Sequence, residues 1–332
     1  MKKLFNCVFV LTLSIILLTS CKDSSTVQSA VARYEAGEIT EDSLKSFLWD
    51  SVNVDAAIEW AEKHKSDNII AMKLLGRAYI LGERVKHSLE KSKVYYFAAA
   101  KQGDSEATRL LGCVYLYPGQ EKIDSARYWF AKAAERGDGQ SYYMLSELER
   151  QYNASVDSTL VISYWTKGAQ LNDASCLASL SYAYYFGWGV ECNKKKAFMM
   201  LDMADENLLD DKGLFYLALM YELGEVTRQD FNTAFKFYKK AANKGNASAM
   251  CKLGNYYGYG QGVERNDSLA FIEYQKAANI GDAQGQRCVA YCYYYGKGTK
   301  QNKGTAYQWF EVAAKNGDEI AIRFCNDHNI TM

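Results

Sequence analysis

Five stretches of the chain share one pattern of apolar and polar positions: SKVYYFAAAKQGD at 92–104, ARYWFAKAAERGD at 126–138, AFKFYKKAANKGN at 234–246, AFIEYQKAANIGD at 270–282 and AYQWFEVAAKNGD at 306–318. Each reads as a helix that ends in an alanine pair and a glycine. Gly245, Gly281 and Gly317 are spaced about 36 residues apart, and Gly103 and Gly137 about 34, which is the period of two-helix repeats. Upstream lies a second pattern, clearest as LGNYYGYGQGV at 253–263, with relatives at 75–85, 180–190, 217–226 and 289–299. Leu253 and Tyr257 stand four apart and share a helix face, Gly254 between them admits a neighbouring backbone, and Gly260 and Gly262 end the helix. Asp267 or Ser268 is then placed to cap the next one. Each unit is predicted as helix A, a glycine turn, helix B, and a short turn at Gly-Asp or Gly-Asn.

The combination L-G-x-x-Y-x-x-G-x-G-V followed by A-x-x-W/Y-x-x-K-A-A-x-x-G resembles the Sel1-like repeats, relatives of the tetratricopeptide repeats, over roughly residues 67–326. The resemblance implies an all-α fold: an α/α solenoid, a right-handed superhelix of about seven two-helix repeats. The array is expected over 67–318, behind a degenerate helical cap at 41–66 and ahead of a capping helix at 319–332. Two repeats depart from the pattern. The stretch from Gln140 to Asp173 keeps Leu145, Tyr164, Trp165 and Lys167-Gly168-Ala169, and the one reaching Asp202 to Asp211 has lost its closing glycine. The single proline, Pro118, falls in a turn.

Ahead of the repeats, Lys2 and Lys3 precede an apolar run from Leu4 to Leu18, which reads as an export signal over 1–20. Leu18-Thr19-Ser20-Cys21 resembles the bacterial lipobox, implying cleavage before Cys21 and acylation of its thiol, and the residues that follow, with Ser24, Ser25 and Thr26, read as a lipid-anchored tether over 21–40. Several acyl chains, at about 0.8 kcal/mol per buried CH₂, make a firm anchor. Lys22-Asp23 partly resembles surface-export signals of Bacteroidota lipoproteins. The expectation is a lipid-anchored protein of the bacterial cell envelope, at the outer membrane, with the leaflet left open.

Composition narrows the chemistry. The 332 residues carry 39 basic and 39 acidic side chains, and loss of Lys2 and Lys3 leaves 37 against 39. A near-neutral chain with scattered cations has no footprint for nucleic acid. Seven cysteines remain besides Cys7 and Cys21, an odd number that argues against a closed disulfide framework. Cys288 and Cys292 share a helix face, but His64, His87 and His328 are dispersed, so structural packing is expected and no metal or cofactor. GYGQG at 258–262 lacks the lysine and the preceding strand of a phosphate-binding loop, and there is no G-x-S-x-G or H-E-x-x-H. Carboxylate pairs such as Asp210-Asp211 and Glu222 with Glu225 fit solvated helix ends. Some cysteine-rich members of the family are described as β-lactamases, but they carry a cysteine pair in each repeat, which this chain does not. No catalytic residue is assigned and the protein is read as a non-enzyme.

The informative excess is aromatic. Tyr79, Tyr115, Tyr184, Tyr221, Tyr257 and Tyr293 occupy the tyrosine position that the family uses for packing. Beyond them stand Tyr182, Tyr185, Phe186, Trp188, Tyr256, Tyr259, Tyr291, Tyr294 and Tyr295, at the ends of the A helices and in their turns. Large aromatic surfaces with a hydroxyl suit peptide or sugar recognition, and they suit packing between repeats equally. As binding candidates these residues, Phe186 aside, point to a scaffold or adaptor that holds a protein or peptide in the envelope, the role that the resemblance also implies. The rival readings are an enzyme acting on envelope polymers or glycans, and a carbohydrate-capturing surface lipoprotein.

Overall fold

The computed structural model describes residues 24–50, 53–82, 84–119, 121–153 and 155–330. The leader and the acylation expected at Cys21 lie outside the described residues. Among the described residues the chain is eighteen α-helices and no strand, an α/α solenoid in which most neighbouring helices of each compact unit pack against each other. It divides into two compact units, Met1–Val156 and Asp157–Met332.

Unit 1 holds α1 (Ser24–Glu35), α2 (Glu41–Leu48), α3 (Val54–His64), α4 (Ile69–Leu81), α5 (Leu89–Lys101), α6 (Ser105–Tyr115), α7 (Ile123–Glu135) and α8 (Gly139–Tyr152). The tether reading of 21–40 needs correction, because Ser24–Glu35 is helical and packed. Its serines and threonine suggest a linker, yet Val27, Ala30, Val31 and Tyr34 follow the i, i+3, i+4, i+7 rule of a helix with one apolar face. Val27 and Val31 are buried with Leu44, Leu48, Ala57 and Trp60 in one core, and Trp60 Nε1 donates to Gln28 Oε1 at 2.6 Å.

Unit 2 holds α9 (Ser158–Gln170), α10 (Ala174–Phe186), α11 (Lys194–Asp202), α12 (Asp211–Leu223), α13 (Phe231–Asn243), α14 (Ala247–Tyr259), α15 (Asp267–Asn279), α16 (Ala283–Tyr295), α17 (Lys303–Lys315) and α18 (Glu319–Asp327). Here α10, α12, α14 and α16 are A helices, and α11, α13, α15 and α17 their B partners. The lone α18 packs on α17, with Phe324 stacked between Phe310 (centroids 3.7 Å apart) and His328 (4.0 Å).

Within a repeat, a small residue on helix A faces a large aromatic on helix B. A Cβ on Gly254 would stand 2.3 Å from Cε1 of Tyr274, and one on Gly112 would stand 2.7 Å from Cε1 of Phe130. The space at Gly254 is thus filled by a ring, not by the backbone that sequence suggested. The backbone approach occurs instead at Gly285, where a Cβ would meet Ala278 N at 2.8 Å. The first alanine of each closing pair, as Ala133, Ala241, Ala277 and Ala313, is fully buried for the same reason: helices meet there.

The turns follow from hydrogen-bond bookkeeping at helix ends. At the Gly-Asp turn, Gly281 adopts φ +88°, and the Asp282 N–H reaches back to Ala277 O at 3.1 Å, a Schellman closure. The Asp282 carboxylate then accepts Gly285 N–H at 2.8 Å and caps the next helix. At the A-to-B turn, the N–H of Asn266 donates to Tyr257 O at 2.8 Å, as Asn302 does to Tyr293 O at 2.8 Å. Asn266, not Asp267 or Ser268, is the cap, its Oδ1 accepting Leu269 N–H at 2.9 Å. Asp267, the first residue of the helix, pairs with Arg265 at 3.0 Å. The second glycine of the turn locks repeats together: Gly298 has φ +72°, and a Cβ there would stand 2.0 Å from Asp267 O, in the preceding B helix.

Candidate functional site

The site is built from the last residue of each A helix in unit 2. Each of these four helices ends at a left-handed glycine, and the final side chain before it faces solvent. In α10, α12, α14 and α16 this residue is Phe186, Leu223, Tyr259 and Tyr295, exposed by 55%, 46%, 75% and 59%. Four successive repeats thus each present one large apolar or aromatic side chain at the same register. Exposed apolar groups occur singly on any protein, but a periodic row is a surface feature. Tyr182, four residues before Phe186 on the same helix face, extends the row inward, with ring centroids 4.7 Å from Phe186 and 5.5 Å from Tyr216 of the next A helix. At the other end Tyr291 stacks on Tyr295 at 6.1 Å.

The sequence-nominated aromatics separate into three groups. Tyr182, Tyr259 and Tyr295 are exposed. Tyr291, Tyr294 and Trp188 are half-buried: Tyr291 stands edge-on to Phe310 at 5.0 Å, Tyr294 to Phe324 at 5.6 Å, and Trp188 against Trp165 at 5.3 Å. Tyr185 and Tyr256 are buried and leave the candidate surface. Tyr185 donates its hydroxyl to Glu225, and burial together with that carboxylate pushes its pKa up. Tyr256, wholly inaccessible, is wedged among Phe231, Phe235 and Tyr238. Its neighbour Tyr257, expected as core, is half-buried and lies edge-on to Phe235 at 5.5 Å. The two exchange roles because the α14 face toward the preceding B helix is set by Ala249, Leu253 and Tyr256, at spacings of four and three.

Leu223 and Tyr216 were not nominated, and Phe186 was noticed but left aside. A rule visible in the sequence finds the four end members of the row: read the residue before the helix-ending glycine, here Gly187, Gly224, Gly260 and Gly296.

Most polar groups beneath the row pair with one another, although the buried Tyr256 hydroxyl has no hydrogen-bond partner among the described residues. Glu222 accepts from the Tyr238 hydroxyl and from Lys252 at 2.8 Å, and the Tyr274 hydroxyl donates to Asn255 at 2.8 Å. The Asp210-Asp211 pair is not a solvated end as expected. Asp210 caps α12 through Gly213 N–H at 2.7 Å and accepts from Ser175 at 3.1 Å, and burial pushes its carboxyl up to about 6. Burial likewise pushes the thiols of Cys288 to about 11 and Cys292 to about 12, away from the reactive thiolate. Among the described residues no group of three or more His, Cys, Asp or Glu could hold a metal ion.

Unit 1 presents a different A-helix surface. Glu106 on α6 receives Lys45 at 2.7 Å and Lys73 at 2.6 Å, and Arg109 reaches the capping Asp138 at 3.1 Å. Burial alone would raise the Glu106 carboxyl, but Lys73 and Lys45 hold it well below the usual carboxylate range.

The fold is a repeat scaffold, and its row of surface side chains recurs at a fixed register. A profile of the Sel1 repeat matches residues 69–104, 105–138, 174–204, 211–246, 247–282 and 283–318, and the chain belongs to the Sel1 repeat family. The matches pass over 139–173, the stretch that holds the boundary between the units. The chain is 28% identical over 213 residues to an uncharacterized protein of Neisseria meningitidis serogroup B, covering 63% of this chain and 44% of that one. It is 26% identical over 150 residues to the Sel1-repeat-containing protein YjcO of Escherichia coli K12, covering 44% of this chain and 65% of that one. The matches thus span less than two thirds of these relatives' own lengths. The fold is shared with a Sel1 repeat protein from Oxalobacter formigenes (TM-score 0.60, 22% identity, 97% of this chain and 99% of that one). It is shared also with a protective antigen present in uropathogenic Escherichia coli strains (TM-score 0.58, 23% identity, 89% and 65%).

Proposed function

We propose that this protein is a binding scaffold of the bacterial cell envelope, exported, lipid-anchored at Cys21 at the outer membrane, and that it holds a peptide segment of a partner protein along the A-helix row of unit 2. The observation that carries the reading is the recurrence of Phe186, Leu223, Tyr259 and Tyr295 as exposed side chains at one register. Such a row offers one contact per repeat to an extended chain, and tyrosine adds a hydroxyl to a large contact area at small entropic cost. Family membership supports a scaffold, and the lipobox supports the anchor.

The test compares capture from envelope extract by the wild-type chain and by a Tyr259→Ser/Tyr295→Ser variant. A protein retained by the wild type and lost from the variant is the expected result. Retention of glycan in place of protein would move the reading to carbohydrate capture, and equal capture by both chains would remove the row from function. The anchor is tested separately by labelling with a fatty-acid probe, which Cys21→Ser should abolish.

A further inference from the structure

Helix α11 breaks the repeat. It runs for 9 residues where α13, α15 and α17 run for 13, and an irregular link over 203–210 replaces the closing glycine turn. Between this link, α10 and α11 opens a cleft of about 560 Å³, inside the ~300–1,000 Å³ range of small-molecule sites. Its apolar lining is Leu177, Met199, Met200, Met203 and Leu208. Three unbranched thioethers on one wall adapt to a flexible chain better than a branched core would, and Met203 is left 78% exposed.

The charge at the mouth is one-sided. Lys194, Lys195 and Lys196 open α11 with no acidic residue in its first turn, an arrangement that the helix dipole disfavours. Two of the three are engaged: Lys194 pairs with Glu225 at 2.8 Å, and Lys196 donates to the Tyr184 hydroxyl at 2.7 Å and lies 4.0 Å over that ring. Lys195 lines the cleft, is exposed, and has no ion pair among the described residues. The lining carboxylate, Asp205, is occupied by the N–H and side chain of Asn207 at 2.9 and 3.0 Å.

We propose that the cleft binds a straight-chain fatty carboxylate, its alkyl chain among the methionines and its carboxylate at Lys195. The experiment titrates the purified chain by calorimetry with octanoate, decanoate and decanol below their aggregation limits, and with phosphatidylglycerol vesicles, while following the methionine methyl signals by NMR. Affinity should rise about fourfold per added methylene until the cleft is filled. Decanol, and decanoate with Lys195→Glu, should bind roughly fivefold or more weakly than decanoate with the wild type. The Met199, Met200 and Met203 signals should shift, and Met200→Asp should abolish binding with the melting curve retained; if Met200→Asp fails to fold, the exposed Met203→Asp serves in its place. Four outcomes overturn the proposal: equal binding of decanol and decanoate, indifference to Lys195→Glu, unshifted methionines, or binding of the vesicles in place of decanoate.

Discussion

The A helices of the two units are built to one plan and finished differently. In unit 1 the face carries a charge network in which Lys45 and Lys73 close on Glu106, whereas the Arg109–Asp138 pair is common to both units and recurs as Arg287–Asp318. In unit 2 the corresponding helices end in Phe186, Leu223, Tyr259 and Tyr295, which close on little within the chain. A satisfied network spends its polar capacity internally, whereas exposed aromatic area retains its capacity for a partner. One repeat scaffold thus supplies a self-contained surface and an open one.

The sharpest way to break this contrast is to truncate, one at a time, two tyrosines of α14 that stand three residues apart. Tyr256→Ala should cost about 3–5 kcal/mol, as loss of a buried ring does, and Tyr259→Ala under about 0.5 kcal/mol. Thermal melts decide it, and an early melt of Tyr259→Ala would make the row part of the core. In unit 1, Glu106→Gln should cost about 2 kcal/mol near neutral pH, because it removes the carboxylate that Lys45 and Lys73 share, while Lys73 keeps Asp104 at 3.4 Å. The folded value of Glu106 lies below the ordinary one, so its contribution is present above about pH 4.3 and is lost as the pH falls below it. Melts of Glu106→Gln and wild type should therefore converge in acid.

Unit 2 should show the opposite pH dependence. Asp210 is raised to about 6 from an unfolded value near 3.9, so its contribution is complete below about pH 4 and is lost as pH rises through 6. Asp210→Asn keeps an N-cap acceptor and should stabilise unit 2 near pH 7 by about 2 kcal/mol, with no gain near pH 4. Hydrogen exchange resolved by unit would show it, and a pH-independent gain would contradict the burial of this carboxyl. The smallest contrast is between glycines. Gly281→Ala, at φ +88° with nothing within 4 Å, should cost about 1–2 kcal/mol from backbone conformation alone. Gly298→Ala adds a clash with Asp267 O and should cost about 1–3 kcal/mol more. Equal melts for the two would mean that the turn does not grip the preceding helix.

The repeat was legible in the sequence because its signals are local: an alanine pair, a closing glycine and a capping Asp or Asn specify helix ends without reference to anything distant. The candidate site was legible in part. Tyr259 and Tyr295 stand out by type and position, but Tyr256 could not be told from Tyr257 by spacing from Gly254 alone, because which of two adjacent residues faces inward depends on the angle at which α14 meets its neighbours. Leu223 escaped because attention to aromatics passes over an aliphatic at the same register. The helix at Ser24–Glu35 is hard to read because Val27, Ala30, Val31 and Tyr34 among serines give a weak signal until α2 and α3 are there to bury them.

The Gly-Asp turn has a consequence for how such a chain changes length. One residue closes the outgoing helix with its main-chain N–H and opens the incoming one with its side chain, as Asp282 does for α15 and α16. The joint is therefore contained in the copied unit itself. A tandem duplication cut at Gly281-Asp282 would carry its own terminator and its own initiator, so the array can lengthen one repeat at a time without any compensating change elsewhere, and each added copy would bring one more tyrosine to the row.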